Sequence, residues 1–145
     1  MKTPITHRDQ YKYFCDISTR WSDNDIFGHV NNVVYYAYFD TIVNRFLIEK
    51  AGLDIQAGEV IGVVAQSQCQ YFNSIAYPDL VQGGLRVNKI GNSSVEYGLG
   101  VFGENEAEAK AQGSFTHVFV DRTNRRPIPI PNPMRTALQA ILSMD

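Results

Sequence analysis

The feature that most constrains this chain is one long apolar segment, which occupies residues 33–53 and reads VVYYAYFDTIVNRFLIEKAGL. Its apolar side chains recur at helical spacing in two adjacent rows, namely Tyr35, Phe39, Ile42 and Phe46, and Val34, Tyr38, Val43 and Leu47. The apolar arc is therefore wide, and a helix of this kind must be covered by other structure on most of its surface. Asn31 and Asn32 are candidates for the N-cap, and Gly52 is a candidate for the residue that ends the helix.

Alternation of apolar and polar residues predicts that the covering structure is a β-sheet. One strand is expected before the helix, at residues 13–21, with Tyr13, Cys15, Ile17, Thr19 and Trp21 on its buried face. Four more are expected after the helix, at residues 60–75, 79–91, 93–103 and 109–122. Short polar connections such as Gly91-Asn92 favour antiparallel hairpins. Glycines inside the strands, at positions 83, 84, 98, 100 and 113, indicate bulges or the close approach of another backbone.

A proline-punctuated segment, residues 123–133, leads to a short C-terminal helix at residues 133–144. Asn132 is the expected N-cap of this helix, and Pro133 is its expected first residue. A chain of 145 residues has the usual size of one domain, here residues 1–145. The predicted fold class is α+β, with a five-stranded antiparallel sheet wrapped around one long central helix. Such a sheet has exposed edges, which predicts pairing with a second copy of the chain.

Charge and composition narrow the classes of partner. The formal net charge is −2 and no block of like charges occurs, so no nucleic-acid partner is expected. No apolar run reaches the roughly 18 residues of a membrane span, and no secretory signal is recognisable, so we expect a soluble, cytoplasmic protein without a membrane partner. Cys15 and Cys69 lack redox or metal-ligand spacing and are interpreted as small apolar residues in a reducing compartment. The histidines are scattered, so we expect no metal site and no role for His7 or His117.

The segment DNDIFGHVNN, residues 23–32, places a cluster of polar groups directly before the long helix. A helix N-terminus carries unpaired N–H groups and a positive potential, which can polarise a carbonyl or hold an oxyanion. Gly28 would let a ligand approach the backbone, and a nearby carboxylate could act as nucleophile or general base. Aspartate and asparagine are also common in turns and helix caps. The residues alone therefore leave an acyl-transfer or hydrolysis site and a purely structural turn as alternatives.

The wider segment RWSDNDIFGHVNNVVYYAYFD, residues 20–40, resembles the signature of the hotdog-fold acyl-CoA thioesterases, in the 4-hydroxybenzoyl-CoA thioesterase-like group. The shared pattern is Asp-x-Asp-x-x-Gly-His-Val-Asn-Asn followed by a tyrosine-rich helix. The similarity runs from Tyr13 to about Pro131 and includes KIGNSSVEY and FVDRTNRRPIPIP. It implies an enzyme that hydrolyses an acyl-CoA to a free acid and CoA without a cofactor. It also implies a homodimer or a dimer of dimers, with the active site completed at the subunit interface.

The resemblance assigns the catalytic carboxylate to Asp25, which would attack the thioester carbonyl directly or activate a water. Asp23 is assigned a structural role. Backbone N–H groups around Gly28, near the start of the helix, would polarise the carbonyl. His29 would orient the neighbouring carboxylate or bind the substrate, or would only fix the turn by a hydrogen bond to the backbone. Of Asn31 and Asn32, one would line the acyl site or place water, and the other would cap the helix.

The phosphates of CoA require a basic or N–H-rich surface. The resemblance places this surface across the subunit interface, near the turn between two late strands and near the tail. The candidates are Lys89, Ser93, Ser94, Arg122, Arg125 and Arg126. For each arginine, a solvated surface charge is an equally good interpretation. Tyr35, Tyr38 and Phe39 are interpreted as core residues, some of which could also line an apolar acyl pocket.

Two other functions are alternatives to acyl-CoA hydrolysis. A non-catalytic acyl-CoA-binding or regulatory module would keep the fold and the apolar pocket without turnover. Hydration or dehydration of an acyl thioester would need a histidine and an acidic residue in an arrangement that this chain does not show. No residue indicates the length, branching or aromatic character of the acyl group.

Overall fold

A computed structural model of the chain describes residues 4–143. In chain order, the strands and α-helices are β1 (Tyr13–Ser18), α1 (Val34–Lys50), β2 (Val60–Tyr71), β3 (Leu80–Ile90), β4 (Ser94–Gly103), β5 (Ala111–Asp121) and α2 (Asn132–Ala140). The predicted succession of one strand, one long helix, four strands and one short helix is therefore confirmed. Met144, the predicted last residue of the short helix, lies outside the described residues.

The five strands form one antiparallel sheet in the order β1-β3-β4-β5-β2. Strand β2 does not pair with β3, which follows it in the chain, but crosses to the far edge and pairs with β5. Register shifts interrupt the ladder between Val64 and Gln66 and between Val87 and Lys89. The strands β1 and β2 are the two edges, and the middle of β2, residues 63–68, is exposed to solvent.

Helix α1 packs on one face of this sheet, which we call the inner face. The helix buries Tyr35, Tyr38, Phe39, Ile42, Val43, Phe46 and Leu47. Two strand glycines make room for it: a Cβ atom on Gly83 would collide with Ile42, and one on Gly113 would lie 2.9 Å from the Phe39 ring. A Cβ on Gly83 would meet only the flexible end of the Ile42 side chain, whereas a Cβ on Gly113 would also overlap the backbone carbonyl oxygen of Gln68. The expected close approach of another backbone is therefore found at Gly113, and the register shifts of the ladder lie elsewhere.

Only the C-terminal end of α1 follows the expected chemistry. The N-cap is Val33, which makes no side-chain cap hydrogen bond, so the prediction that Asn31 or Asn32 is the N-cap is wrong. Asn31 lies just before the helix, where its side-chain Oδ1 accepts a hydrogen bond from the N–H of Val33 at 2.9 Å. Gly52 follows the last turn with φ +75°, a left-handed conformation that favours glycine. Asn132 is the first residue of α2 rather than its N-cap, because the N–H of Arg135 already bonds to the carbonyl of Pro131.

The prediction that Trp21 lies on the buried face of the first strand is wrong. Strand β1 ends at Ser18, and a short 3₁₀ turn, Trp21–Asp23, carries the chain out of the sheet. The Trp21 side chain is 77% exposed and packs edge-on against Tyr77. Thr19 is buried as expected, and its hydroxyl donates to the carbonyl of Asp79. The predicted strand therefore loses its last three positions, residues 19–21, because the chain leaves the sheet after Ser18 to reach the start of α1.

Within residues 4–143, no helix is both long enough and apolar enough to cross a membrane.

Candidate active site

The polar cluster forms a tight hairpin between β1 and α1. Asn24 and Val30 pair as a β-bridge, and the N–H of Asp25 donates to the carbonyl of His29 at 3.0 Å. The carbonyl of Asp25 in turn accepts the N–H of Gly28 at 3.1 Å. Gly28 has φ +86°, and a glycine takes this left-handed conformation without steric cost. The turn therefore holds Asp25 in a defined position.

The Asp25 carboxylate is half-buried and has one oxygen in use. Its Oδ1 accepts the N–H of Phe27 at 2.9 Å, which fixes the side-chain orientation across the turn. Within residues 4–143, no donor forms a hydrogen bond to the second oxygen, Oδ2. A carboxylate oriented through one oxygen, with the other free of hydrogen bonds in the described residues, is suited to act as a nucleophile or general base.

Asp23 lies two residues away in a different environment. It is 1% exposed, and its Oδ2 accepts the Tyr38 hydroxyl at 2.8 Å and the Arg20 N–H at 2.8 Å. The Arg20 guanidinium contacts its Oδ1 at 2.9 Å. Burial acts to raise the pKa of the Asp23 carboxyl, but these hydrogen bonds outweigh it and hold the pKa below its usual range. Asp23 thus anchors the loop to α1 as an ionised, fully bonded group.

The start of α1 leaves some backbone donors free. The N–H of Gly28 is used by Asp25, and the N–H of Val33 is used by Asn31. In the described part of the chain, the main-chain N–H groups of His29 and Asn32 have no hydrogen-bond partner. The N–H of Asn32 precedes the first turn of α1, near the positive end of the helix, and that of His29 lies in the preceding hairpin. Unpaired backbone donors of this kind can stabilise negative charge on a carbonyl oxygen.

A cavity of about 310 Å³ opens next to this loop. Its walls are His29, Val30, Asn32 and Tyr35 on the helix side and residues 71–74 at the end of β2. The His29 ring stacks on Phe27. Burial raises the pKa of the Tyr35 phenol to about 12, so its hydroxyl is neutral at physiological pH.

The three aromatic residues predicted to be core, with a second possible role in the acyl pocket, occupy different places. Tyr35 borders the cavity, while Tyr38 donates to Asp23. Phe39 is fully buried against Gly113. The structure therefore joins Asp25, Gly28 and His29 in one turn and lines the adjacent cavity with His29, Asn32 and Tyr35, while Asp25, Gly28 and Asn31 are not among the residues of the cavity wall. It places Tyr38 and Phe39 behind them in the core.

The residues predicted to bind CoA lie at the opposite end of the sheet. Ser18 at the end of β1 pairs with Leu80 at the start of β3, so Asp25 lies beyond the start of β3. Lys89, Ser93 and Ser94 lie at the other end of β3, which spans about 33 Å for its eleven residues. Arg122, Arg125 and Arg126 follow the end of β5, next to the start of β2. One chain cannot bring these residues to its own Asp25.

Arg122 is already engaged within the chain. Its guanidinium donates to the carbonyls of Gly58 and Ile55, which ties the turn before β2 to the end of β5. The carboxylate of Asp121 accepts the N–H groups of Thr123 and Asn124, which shapes the turn that carries the other arginines. Arg125 has φ +63°, a left-handed conformation.

Tyr71 is a residue of this site that the sequence did not indicate. It closes β2, borders the cavity and donates its hydroxyl to the carbonyl of Asn32 at 2.9 Å. Its only sequence signal is an aromatic residue at the end of an alternating strand, which is common in any sheet.

A family model described as the thioesterase-like superfamily matches residues 19–138. The chain belongs to this family. Its structure is also similar to the crystal structure of the PA5185 protein from Pseudomonas aeruginosa, with 57% identity, a TM-score of 0.96, and coverage of 97% of this chain and 99% of that one. A curated relative, the uncharacterised protein YsmA of Bacillus subtilis, is 26% identical over 83% of this chain and 81% of its own length.

One of the solved structures similar to this chain has a named substrate. Slr0204, a 1,4-dihydroxy-2-naphthoyl-CoA thioesterase from Synechocystis, is 16% identical, with a TM-score of 0.78 over 88% of this chain and 95% of that one. At this identity the likeness shows the fold alone. The five-stranded antiparallel sheet, the long helix and the small C-terminal helix are the hotdog fold of these thioesterases, which confirms the expected fold class and family. Membership of the family supports thioester hydrolysis as the general reaction.

Proposed function

We propose that the protein is an acyl-CoA thioesterase that hydrolyses its substrate to a free carboxylic acid and CoA, with Asp25 as the catalytic carboxylate. The observation that carries the proposal is the geometry of Asp25: one oxygen is fixed by the N–H of Phe27, and the other is unbonded in the described part of the chain. The same turn ends at the start of α1, where free N–H groups are available. A carboxylate beside backbone donors is the arrangement that thioester hydrolysis requires.

Two chemical routes fit this geometry. In the first, Asp25 attacks the thioester carbonyl carbon, the C–S bond breaks, CoA leaves as a thiolate that takes up a proton, and water hydrolyses the acyl-aspartyl anhydride. In the second, Asp25 takes a proton from water, and the resulting hydroxide attacks the carbonyl carbon before CoA leaves. Both routes place negative charge on the carbonyl oxygen, and the N–H groups of His29 and Asn32 are our candidates to stabilise it.

CoA binding is proposed to involve a second copy of the chain. Lys89, Ser93, Ser94, Arg122 and Arg126 lie at the wrong end of the sheet to serve Asp25 of the same chain. Strand β2 has a free edge and an exposed middle, including Val64, which is 45% exposed. If two β2 strands pair antiparallel about a two-fold axis, the start of one lies beside the end of the other. The basic end of one copy would then lie near Asp25 of its partner, and the functional unit is a homodimer, alone or within a dimer of dimers.

The proposal is tested by thiol release from a panel of acyl-CoAs, with wild type beside Asp25→Asn and Asp16→Asn. Asp25→Asn keeps the side-chain shape and removes the charge, so we expect a loss of at least about a hundredfold in kcat. Asp16 lies exposed on β1, away from the cavity, so Asp16→Asn makes the same change in net charge and should retain wild-type activity. The panel also ranks the acyl groups, which the residues do not distinguish.

A different result would favour the second candidate function. If neither wild type nor Asp25→Asn hydrolyses any acyl-CoA, and both bind acyl-CoA equally well, the protein is a non-catalytic acyl-CoA-binding or regulatory module. The buried side chains of Val30 and Tyr35 in the cavity wall would serve that role without Asp25.

A further inference from the structure

Tyr71 connects the edge of the sheet to the start of the long helix. It is the last residue of β2, and its hydroxyl donates to the main-chain carbonyl of Asn32 at 2.9 Å. Its ring packs edge-on against Tyr35, with ring centroids 5.0 Å apart. Tyr71 is therefore held at two points, and its hydroxyl is aimed at the peptide that immediately precedes α1.

The orientation of the Asn32 main chain depends on few other contacts. Its carbonyl also accepts the N–H of Tyr35 at 3.3 Å, a long bond that alone would fix it weakly. The N–H of Asn32 has no hydrogen-bond partner in the described residues. A donor that stabilises an oxyanion must be held within about 10–20° of its productive direction. The carbonyl and the N–H of Asn32 belong to two successive peptide groups. The group that carries the N–H is held by the hydrogen bond from the Val34 N–H to the Asn31 carbonyl, and the Tyr71 hydroxyl holds the next group, so that together they restrain the backbone torsions of Asn32.

We propose that Tyr71 is a positioning residue for thioester hydrolysis, and that its hydroxyl holds the Asn32 main chain so that the Asn32 N–H faces the substrate carbonyl. The inference rests on the proposed function, because it names a residue that serves the same reaction. Tyr71 acts through Asn32 and does not itself exchange a proton or form a bond with the substrate.

The protonation state of the Tyr71 hydroxyl does not change over the pH range of the assay. Burial raises the pKa of the phenol above its ordinary value, and the neighbouring Cys69 and Tyr36 side chains raise it further. The hydroxyl therefore stays protonated and remains a donor at neutral and mildly alkaline pH. A change in the pH profile of kcat is not expected when it is removed.

The test compares Tyr71→Phe with Tyr13→Phe in the full-length protein. Tyr13 offers a matched control because its hydroxyl also joins a strand to α1, at the far end of the helix, by donating to Glu49 at 3.0 Å. Both variants lose one hydroxyl contact of similar length and keep the aromatic ring. We expect Tyr71→Phe to lower kcat at least about tenfold with KM within about threefold of wild type, as for a contact that serves the transition state. Tyr13→Phe should leave both constants unchanged.

Each other outcome overturns the inference. A kcat for Tyr71→Phe within about twofold of wild type, or a rise in KM alone, would show that the hydroxyl does not aim a catalytic donor. An equal loss in both variants would mean that any loosening of α1 has the same effect. In these cases wild type is active and Asp25→Asn is not, so the proposed function stands while the role of Tyr71 falls. If wild type hydrolyses no acyl-CoA, the proposed function fails and this inference fails with it.

Discussion

Replacing His117 by phenylalanine should make the stability of the protein less sensitive to acid. His117 lies on the inner face of β5, is 1% exposed, and has aromatic neighbours on the same face, including Phe115 and Phe119. Its Nδ1 has no hydrogen-bond partner in the described part of the chain, and it points to the place where Gly62 lacks a side chain. Burial in these apolar surroundings lowers the pKa of the imidazole from 6.5 to about 4.

The magnitude follows from the difference between the folded and unfolded pKa values. Above about pH 6.5 the imidazole is neutral in both states, and the full free energy of unfolding is present. Between about 6.5 and about 4 only the unfolded chain takes up the proton, so the free energy of unfolding decreases as the pH falls. A drop of about 2.5 in pKa, at about 1.36 kcal/mol per pH unit, corresponds to about 3 kcal/mol.

The assay is urea unfolding between pH 7 and pH 4 at one fixed protein concentration, because self-association would otherwise shift the midpoint. Wild type should lose about 3 kcal/mol more than His117→Phe across this range. His7→Gln is the control, since His7 is exposed, and it should behave as wild type. Carboxyl groups with lowered pKa values, such as Asp23 and Asp54, contribute equally to all three proteins and lose their effect at lower pH. Parallel curves for wild type and His117→Phe would refute the reasoning.

Three further predictions address the core, the sheet and the CoA site. Tyr38→Phe removes a buried donor to the Asp23 carboxylate and should cost about 1.5–3 kcal/mol of unfolding free energy in urea titrations. Tyr77→Phe, at an exposed position, should cost less than about 0.5 kcal/mol. Equal effects would contradict a stabilising role for the hydrogen bond from Tyr38 to the charged Asp23. Gly113→Ala should lower the free energy of unfolding by about 1–3 kcal/mol or more, because the new Cβ would overlap the carbonyl oxygen of Gln68. Gly28→Ala is the comparison, since nothing lies within 4 Å of its Cβ position. It should cost only the roughly 1–2 kcal/mol of placing alanine in a left-handed backbone conformation. Arg126→Ala and Lys89→Ala should raise KM for acyl-CoA severalfold with little change in kcat, because each would remove a phosphate contact away from the reacting carbonyl. Lys12→Ala, next to the edge strand β1, is the control. An unchanged KM in both variants would show that these residues do not bind CoA.

Local patterns predicted the elements of the fold well. The helical spacing of residues 33–53 predicted α1, and the alternating segments predicted all five strands within a few residues of their observed bounds. Gly52 follows from the chemistry of helix ends, which depends only on neighbouring residues. The N-cap was misplaced by one or two residues, because α1 begins only at Val34. Trp21 was misplaced because alternation continues past Ser18 in the sequence, while the chain itself leaves the sheet there. Alternation reports which side chains could share a face, not where the chain turns.

The candidate site also contains residues that local sequence patterns predicted and residues that they did not. The motif at residues 23–32 indicated the loop with Asp25, Gly28 and His29 because a turn and a helix start are local structures. Tyr71 could not be found from the sequence, since it reaches Asn32 from 39 positions away only after β2 has crossed to the edge beside β5. The residues predicted to bind CoA were likewise assigned only because their sequence motifs resemble those of the family.

The sequence by itself therefore determined the order of helices and strands, the buried face of α1, and the residue types at the turn before it, because these depend on periodicity and on interactions over a few residues. Only the tertiary structure decided the strand order β1-β3-β4-β5-β2, the contact between Tyr71 and Asn32, and the separation of Asp25 from Lys89 and Arg126. These features depend on antiparallel pairing between distant segments. Pairing reverses the chain direction at each strand, and so it assigns every strand end to one side of the sheet or the other.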